Sequence, residues 1–526
     1  MNILFYNGKV FTELPGKTAD AVYVEGNKIK CVGTLRNISS KILSHAESIN
    51  LQGKMILPGF IDAHTHFVTY ALSRKEVDLS DAQNLEEVKK KLCEFRDGAA
   101  QNLPWIKGIG WNKNIWPDAI GFNRYLLDEI FPNKPVSLFS KDLHTVLCNS
   151  KALDIMNILT KKPSLPGGRV GCFPDGRPDG FLYERASELV NQSIPPLSQE
   201  SREKYLKEAI QEAHSFGLTG IHIMEDKAAY KLFSHLHEIG ELTLRVCWHF
   251  PQKILDELLN MGIHSYTGDE WLKLGGVKLF IDGSLGSQSA YMYHPYPDSL
   301  DNYGTCIMSE EEVFEIMLKA GESGIATSTH AIGDRAVHIL INAILRANKR
   351  LGRQMFHRVE HLQCVRPEDQ IRVAQEHIYC SMQPIHISLD AEITEKFWGE
   401  YGRNSYPFRS LLQQQVHIGF GSDAPVATIS PFLGIYSAIE RKPRNNPKRK
   451  SWIPEEKITT DEAIRAYTYW SAYGSHSHKV RGTISEGKLA DLIVVDDYTH
   501  ENNIFWLEAK PYLTMVDGKI VYNRLS

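Results

Sequence analysis

Eight short apolar runs recur along the middle of the chain, at 56–63, 219–224, 244–250, 276–281, 325–329, 356–360, 378–382 and 417–421. From the second onward they are separated by stretches long enough for one helix each, as at 311–320 and 335–348. Alternating strand and helix predicts a parallel α/β sheet. Eight such units predict closure into a (β/α)8, TIM-like barrel.

Between the first and second runs lies an excess, roughly 68–215, too long for a structureless loop. It is expected to be an inserted cap with elements of its own. Both ends of the chain read as short strands and turns. The first has 3–6, Asn7-Gly8, 21–24, Gly26-Asn27 and 28–32, and the last has 492–495, 512–516 and 519–522 around Asp517-Gly518. Asp-Gly between two such runs is a hairpin signal. The predicted division is a small β-sandwich from 1–56 and 480–526, a barrel from 57–67 and 212–479, and a cap at 68–211 that shapes the substrate pocket. Thr459-x-x-Glu462 is a capping box, expected to open the final helix.

With 526 residues, 42% of them hydrophobic, the chain can bury a large core without disulfide staples. Its 59 basic and 63 acidic residues leave a net charge of −4, which argues against nucleic acid or an anionic membrane as partner. No apolar run approaches the roughly 18 residues of a membrane span, and no basic, apolar leader is readable at the N-terminus. The eight cysteines are scattered singly, without C-x-x-C, and read as reduced thiols of a cytoplasmic protein.

His64-Thr65-His66 ends the first run. Residues i and i+2 of a strand face one side, so both imidazoles can converge on one ion. Alone, so short a motif also reads as two polar residues in a loop. Its company changes that: His330, His361 and Asp423 stand at the ends of later runs. In a barrel those strand ends open on one face, where active sites are built. A nitrogen-rich set with one carboxylate suits zinc or a similar first-row ion. Lys278 is the other anomaly, an ammonium in mid-strand among apolar residues. Either it reaches solvent by snorkelling, or it is neutral and takes up carbon dioxide, becoming an anionic carbamate able to bridge two ions.

These residues, in this order, resemble the amidohydrolase superfamily. Leu57-Pro-Gly-Phe-Ile-Asp-Ala-His-Thr-His, Val277-Lys-Leu-Phe-Ile-Asp-Gly-Ser-Leu-Gly, His330-Ala-Ile-Gly-Asp-Arg, Arg358-Val-Glu-His-Leu-Gln and Gly421-Ser-Asp-Ala-Pro are similar to its YtcJ-like branch, the "amidohydrolase 3" group. That branch includes N-substituted formamide deformylase. Tyr406-Pro-Phe-Arg-Ser-Leu-Leu and Glu486-Gly-Lys-Leu-Ala-Asp-Leu-Ile-Val-Val-Asp extend the likeness over nearly the whole chain. It implies a metal-dependent hydrolase acting on a non-peptide carbon–nitrogen bond of a small amide-like substrate. One ion would be held by His64, His66 and Asp423 and a second by His330 and His361, with carboxylated Lys278 between them. Asp423 would move a proton from the attacking water to the leaving nitrogen. Within the cap, Asp142-Leu-His144 and Gly180-Phe-Leu-Tyr-Glu184 resemble stretches of the same branch. With His222 of the second run, His144 and Glu184 are the expected substrate contacts, each equally readable as packing or a surface hydrogen bond. Val146-Leu147 replace the branch's usual aromatic, which alters the pocket.

Other signals count against rival chemistry. Asp282-Gly-Ser-Leu-Gly-Ser fits neither a P-loop nor a dinucleotide fingerprint, and no G-x-S-x-G elbow occurs. The run Arg441–Lys450, with six basic residues, reads as a solvated, mobile loop near the barrel mouth. Two alternatives stay open: a catalytically silent scaffold, and ester hydrolysis or isomerisation on the same metal site. The sequence also leaves one against two ions and homo-oligomerisation open.

Overall fold

The computed structural model describes residues 2–12, 19–38, 45–111, 113, 116, 119–140, 145–160, 168–297, 301–443, 446–500 and 503–525. The chain forms two compact units, one of Met1–Val68 with Lys207–Ser526 and one of Thr69–Leu206.

In the first unit, eight strands follow one another in chain order: β1 (Phe60–Thr65), β2 (Leu218–Ile223), β3 (Arg245–Pro251), β4 (Leu272–Phe280), β5 (Thr327–Ala331), β6 (Arg358–His361), β7 (Tyr379–Met382) and β8 (Ile418–Phe420). Each neighbouring pair from β1–β2 to β7–β8 is parallel. Backbone bonds from Asp423 N to His64 O (2.8 Å) and from His66 N to Ala424 O (2.9 Å) tie the end of β1 to the segment after β8. The sheet is therefore a nearly closed TIM-like barrel, as the eight runs predict.

The first run is not one strand. Met55–Pro58 joins a terminal sheet, and β1 starts at Phe60. At the switch Pro58 has no N–H to donate, Gly59 donates to Asp491 O at 2.9 Å, and a Cβ on Gly59 would overlap the Thr219 side chain. Around the barrel, Asp334–Leu351 buries Val337, Leu340, Ile341 and Ile344 on one face, the stripe expected of a core-facing helix. The Thr459/Glu462 capping box forms and opens Thr460–Ala466. It does not open the final helix: Tyr469–Gly474 and Phe505–Glu508 follow, both too short to show a helical period.

The termini contribute a four-stranded sheet (Asn2–Tyr6, Ala21–Glu25, Lys28–Gly33 and Glu47–Asn50) and a five-stranded one that adds Leu492–Val495, Leu513–Val516 and Lys519–Asn523 to Lys9–Val10 and Met55–Pro58. They share a core that includes Ile3, Phe5, Val22, Ile56, Leu492 and Met515. Asp517 and Gly518 both have positive φ (54° and 73°), as the type I′ hairpin turn requires. Arg245, at the start of β3, donates to Asp491 (2.7 and 3.0 Å) and Asp517 (2.8 Å), locking the barrel to these last strands.

The second unit is a six-stranded sheet in the order Gly168–Cys172, Pro178–Glu184, Thr145–Cys148, Val136–Ser140, Ile106–Trp111 and Glu76–Asp78. It has apolar clusters of its own, around Trp111, Phe122 and Phe181 and around Trp105, Leu153 and Leu182.

The basic run departs from its expectation at its first residue. Arg441 is fully buried, and its guanidinium donates to the carbonyls of Trp452 (2.8 Å), Tyr406 (2.9 Å) and Ser405 (3.2 Å). It caps Pro431–Glu440 with φ 51°, inside the core and not in solvent. All eight cysteines are free. Among the described residues no helix is long and apolar enough to cross a membrane.

Candidate metal centre

Three of the expected ligands meet at the carboxyl end of the barrel. His64 is the fifth residue of β1, His66 follows that strand, and Asp423 lies three residues past β8. Their ligand atoms all lie within 4.8 Å of one another. His64 is buried, and the side chains of His66 and Asp423 are 31% and 12% exposed.

Hydrogen bonds set the tautomers. His64 Nδ1 lies 2.6 Å from Glu360 Oε2, and His66 Nδ1 lies 2.9 Å from Met224 O. Both partners only accept when Glu360 is ionised, so Nδ1 carries the proton in each ring. The Nε2 lone pairs then face Asp423 Oδ1, at 3.5 Å from His64 and 3.4 Å from His66. His64 Nε2 is buried without a hydrogen-bond partner among the described residues. Two lone pairs turned on one carboxylate oxygen repel unless a cation or a proton sits among them. The donor set fits a divalent ion.

The electrostatics agree. Burial disfavours charge on His64, and Lys278 adds to that, bringing its pKa down to about 4. Burial also works against a charged His66, but the hydrogen bond and charge of Asp423 outweigh it and raise its pKa. Burial alone would raise the Asp423 carboxyl; His66, His64 and His361 hold it well below the carboxylate range.

His361 and His330 stand beside this cluster. The His361 ring centroid is 4.8 Å from that of His64 and 4.5 Å from that of His330. His361 Nδ1 donates to Gln383 Oε1 (2.9 Å) and His330 Nε2 to Gly283 O (3.0 Å), leaving one ring nitrogen of each without its proton. Lys278, on β4, is 4% exposed, and its Nζ has no hydrogen-bond partner among the described residues. Burial lowers its pKa to about 8, against the opposing pull of Glu360 and Asp423. His361 and Asp423 both sit at positive φ (72° and 57°), a strained backbone region that recurs at functional sites.

The remaining expected contacts lie apart or outside view. His222, on β2, is fully buried and takes a hydrogen bond from Arg358 at 2.9 Å. His144 lies outside the described residues, and Glu184 ends its strand with a side chain that is likewise not described.

Residues that the motifs contain, but whose roles sequence reasoning missed, brace the site. Arg358 Nε donates to Glu360 Oε1 at 2.6 Å, and Ser328 Oγ donates to the same oxygen. Asp62 accepts from His64 N (3.0 Å), Ser422 N (3.0 Å) and Ser422 Oγ (2.6 Å), fixing the ends of β1 and β8 together. Asp282 accepts from Tyr291, Ile332 and Gly333 N at 2.8–3.0 Å, behind His330. The available signal was charge at i and i+2 in an apolar strand, Arg358-Val-Glu360, the same anomaly that marks Lys278.

A parallel barrel with a His-x-His pair and an aspartate converging at its carboxyl end has the architecture of a metal-dependent hydrolase. The model of the amidohydrolase family matches residues 47–522, and the chain belongs to that family. It is a metal-dependent hydrolase of non-peptide carbon–nitrogen bonds. It is similar to the Protein LONG AFTER FAR-RED 3 of Arabidopsis thaliana, with 32% identity over 545 aligned positions covering 99% of this chain and 91% of that one. The N-substituted formamide deformylase of Arthrobacter pascens is 27% identical over 547 positions, covering 99% and 98%. A solved structure of a metal-dependent hydrolase from Pyrococcus furiosus superposes with a TM-score of 0.76 at 26% identity, covering 96% of this chain and all of that one.

Proposed function

We propose that the chain hydrolyses a small non-peptide amide, with N-substituted formamides as the first class to test. Similarity to a deformylase over nearly the full length supports that choice of substrate. The observation that carries the reading is the convergence of His64, His66 and Asp423 within 4.8 Å.

These three residues would hold one ion and His330 with His361 a second; zinc suits the nitrogen-rich set. A divalent ion there makes water more acidic and polarises a carbonyl. Asp423 turns Oδ1 to both imidazoles, so Oδ2 is the oxygen that takes the water's proton and returns it to the leaving nitrogen. Glu360 holds the Nδ1 proton of His64 throughout and keeps Nε2 turned toward Asp423.

The buried, unpartnered Nζ of Lys278 is the basis for a carbamate. As the neutral amine it adds to carbon dioxide, forming one N–C bond and releasing one proton. The anion would lessen repulsion between two ions in a partly dry site. Lys278→Ala should weaken the second ion more than the first, and formate or acetate filling the vacated volume should restore part of the rate.

A screen of N-formyl amines, other amides, cyclic ureides and esters, scored for amine or alcohol release, tests the reading. Amine release from amides upholds it. Turnover of esters alone would move the activity to the ester reading, and inactivity with metal bound would return the scaffold reading.

A further inference from the structure

A barrel interior is normally filled by branched apolar side chains, but the lower half of this one is polar. Below the metal cluster, Arg358 reaches across the barrel from β6 to β2 and β3. Its Nη1 lies 2.9 Å from His222 Nδ1 and 3.4 Å from His249 Nε2. A guanidinium only donates, so His222 accepts through Nδ1 and carries its proton on Nε2. That Nε2 is buried and without a partner among the described residues.

Gly220 lies two residues before His222 on β2, facing the same way. A Cβ there would overlap Nη1 of Arg481. Glycine at 220 thus leaves room for an arginine that enters the barrel from below. Arg481 is 2% exposed, and among the described residues neither its Nε nor its Nη1 has a hydrogen-bond partner. Its segment is anchored: Arg481 N donates to Ser477 O (2.9 Å), and Lys273 Nζ of β4 donates to Ser477 Oγ (3.0 Å).

The carboxylates nearby are directed elsewhere. Asp491 accepts from Arg245 and from Asp517 N, and Glu270 Oε2, without a hydrogen-bond partner among the described residues, faces Lys273 at 3.8 Å. The charges of Asp491 and Glu270 act on Arg481, but neither accepts from its Nε or Nη1. A buried donor left without a hydrogen bond is costly, and the unpartnered groups of Arg481 and His222 are all donors.

We propose that the barrel floor holds a small monovalent anion of halide size, bound by Arg481 Nε and Nη1 with His222 Nε2–H, and Lys273 close by. This site is separate from the metal cluster and does not rest on the proposed reaction. It assigns His222 to the barrel floor and not to the substrate.

Bromide is the probe. Crystals of the full chain grown in sodium bromide should show an anomalous peak within hydrogen-bonding distance of Arg481 and His222. Thermal unfolding in sodium chloride should occur about 2 °C or more above that in sodium gluconate of equal ionic strength, gluconate being too large for an enclosed site. Arg481→Met should remove that difference. The wild-type comparison stands if this variant does not fold. Water alone at the site, without anomalous signal and with equal unfolding in both salts, would overturn the proposal.

Discussion

Arg358 on β6 and Arg245 on β3 are both fully buried and both bound to carboxylates, yet the two clusters are built for different ends. Arg358 takes Glu360 from its own strand, two residues on, and the second oxygen of Glu360 serves His64. Arg245 takes Asp491 and Asp517, which are 246 and 272 residues away, and neither carboxylate is a candidate metal ligand. A local pair orients a ligand, whereas a long-range one fastens a terminal sheet to the barrel. The same chemistry therefore predicts different losses.

The largest loss belongs to the metal end. Asp423→Asn should lower turnover by about four orders of magnitude, ~5 kcal/mol, through loss of both an ion ligand and the proton carrier. Steady-state rates on a substrate found by screening measure it, and thermal unfolding of the metal-free protein should stay near wild type. A variant within tenfold of wild type would remove Asp423 from the chemistry.

Next comes the long-range lock. Asp491→Asn leaves Arg245 with one of its two carboxylates in a dry place and should cost about 3–5 kcal/mol of stability. Metal content should not change, which separates this cluster from the other. Its pH dependence has a definite sign. Burial would raise the Asp491 carboxyl, but the charge and hydrogen bonds of Arg245 outweigh it and hold it below its usual range. The stabilisation is thus complete above the unfolded carboxylate pKa of about 3.9 and is lost as pH falls through the lower folded value. The Tm gap between wild type and Asp491→Asn should be level from neutral pH to about 5 and close only in stronger acid. A gap that opens on acidification would contradict the pairing.

Glu360→Gln strikes the local pair and should differ in kind. It also unbalances Arg358, so stability falls, but the distinguishing effect is on the ion. Affinity should drop about 10–100-fold, because Glu360 orients His64 and makes it a better donor. Titration against a chromophoric chelator reads this directly, and unchanged affinity would reduce Glu360 to a structural partner of Arg358.

The smallest effect is expected away from both clusters. Thr459→Ala breaks the capping box of Thr460–Ala466 and should cost about 1 kcal/mol, with metal affinity and rate unmoved. A larger loss would mean that this helix start carries more of the fold than its cap.

The barrel was legible because strand and helix periods alternate eight times, and the ligands were legible because they stand at strand ends. The break at Gly59 was not, since an apolar run does not reveal which sheet it joins. Arg441 misled for a related reason: composition marks a basic run as solvated, and only tertiary placement shows three carbonyls waiting for one guanidinium. Glu360, Asp62 and Gln383 lay within or near the motifs without an assigned role. Their contribution is a hydrogen bond to a partner distant in sequence or across neighbouring strands, as when Glu360 meets His64. Periodicity carries no trace of such a bond.

Metal dependence of turnover tests the central claim most directly. Protein purified without chelator should contain close to two zinc-like ions per chain if the carbamate bridge forms, and close to one if only the His64, His66 and Asp423 set is filled. Amine release should fall to background on prolonged chelation and return in proportion to zinc, manganese or cobalt added back. Undiminished amine release by thoroughly metal-free protein would contradict the account.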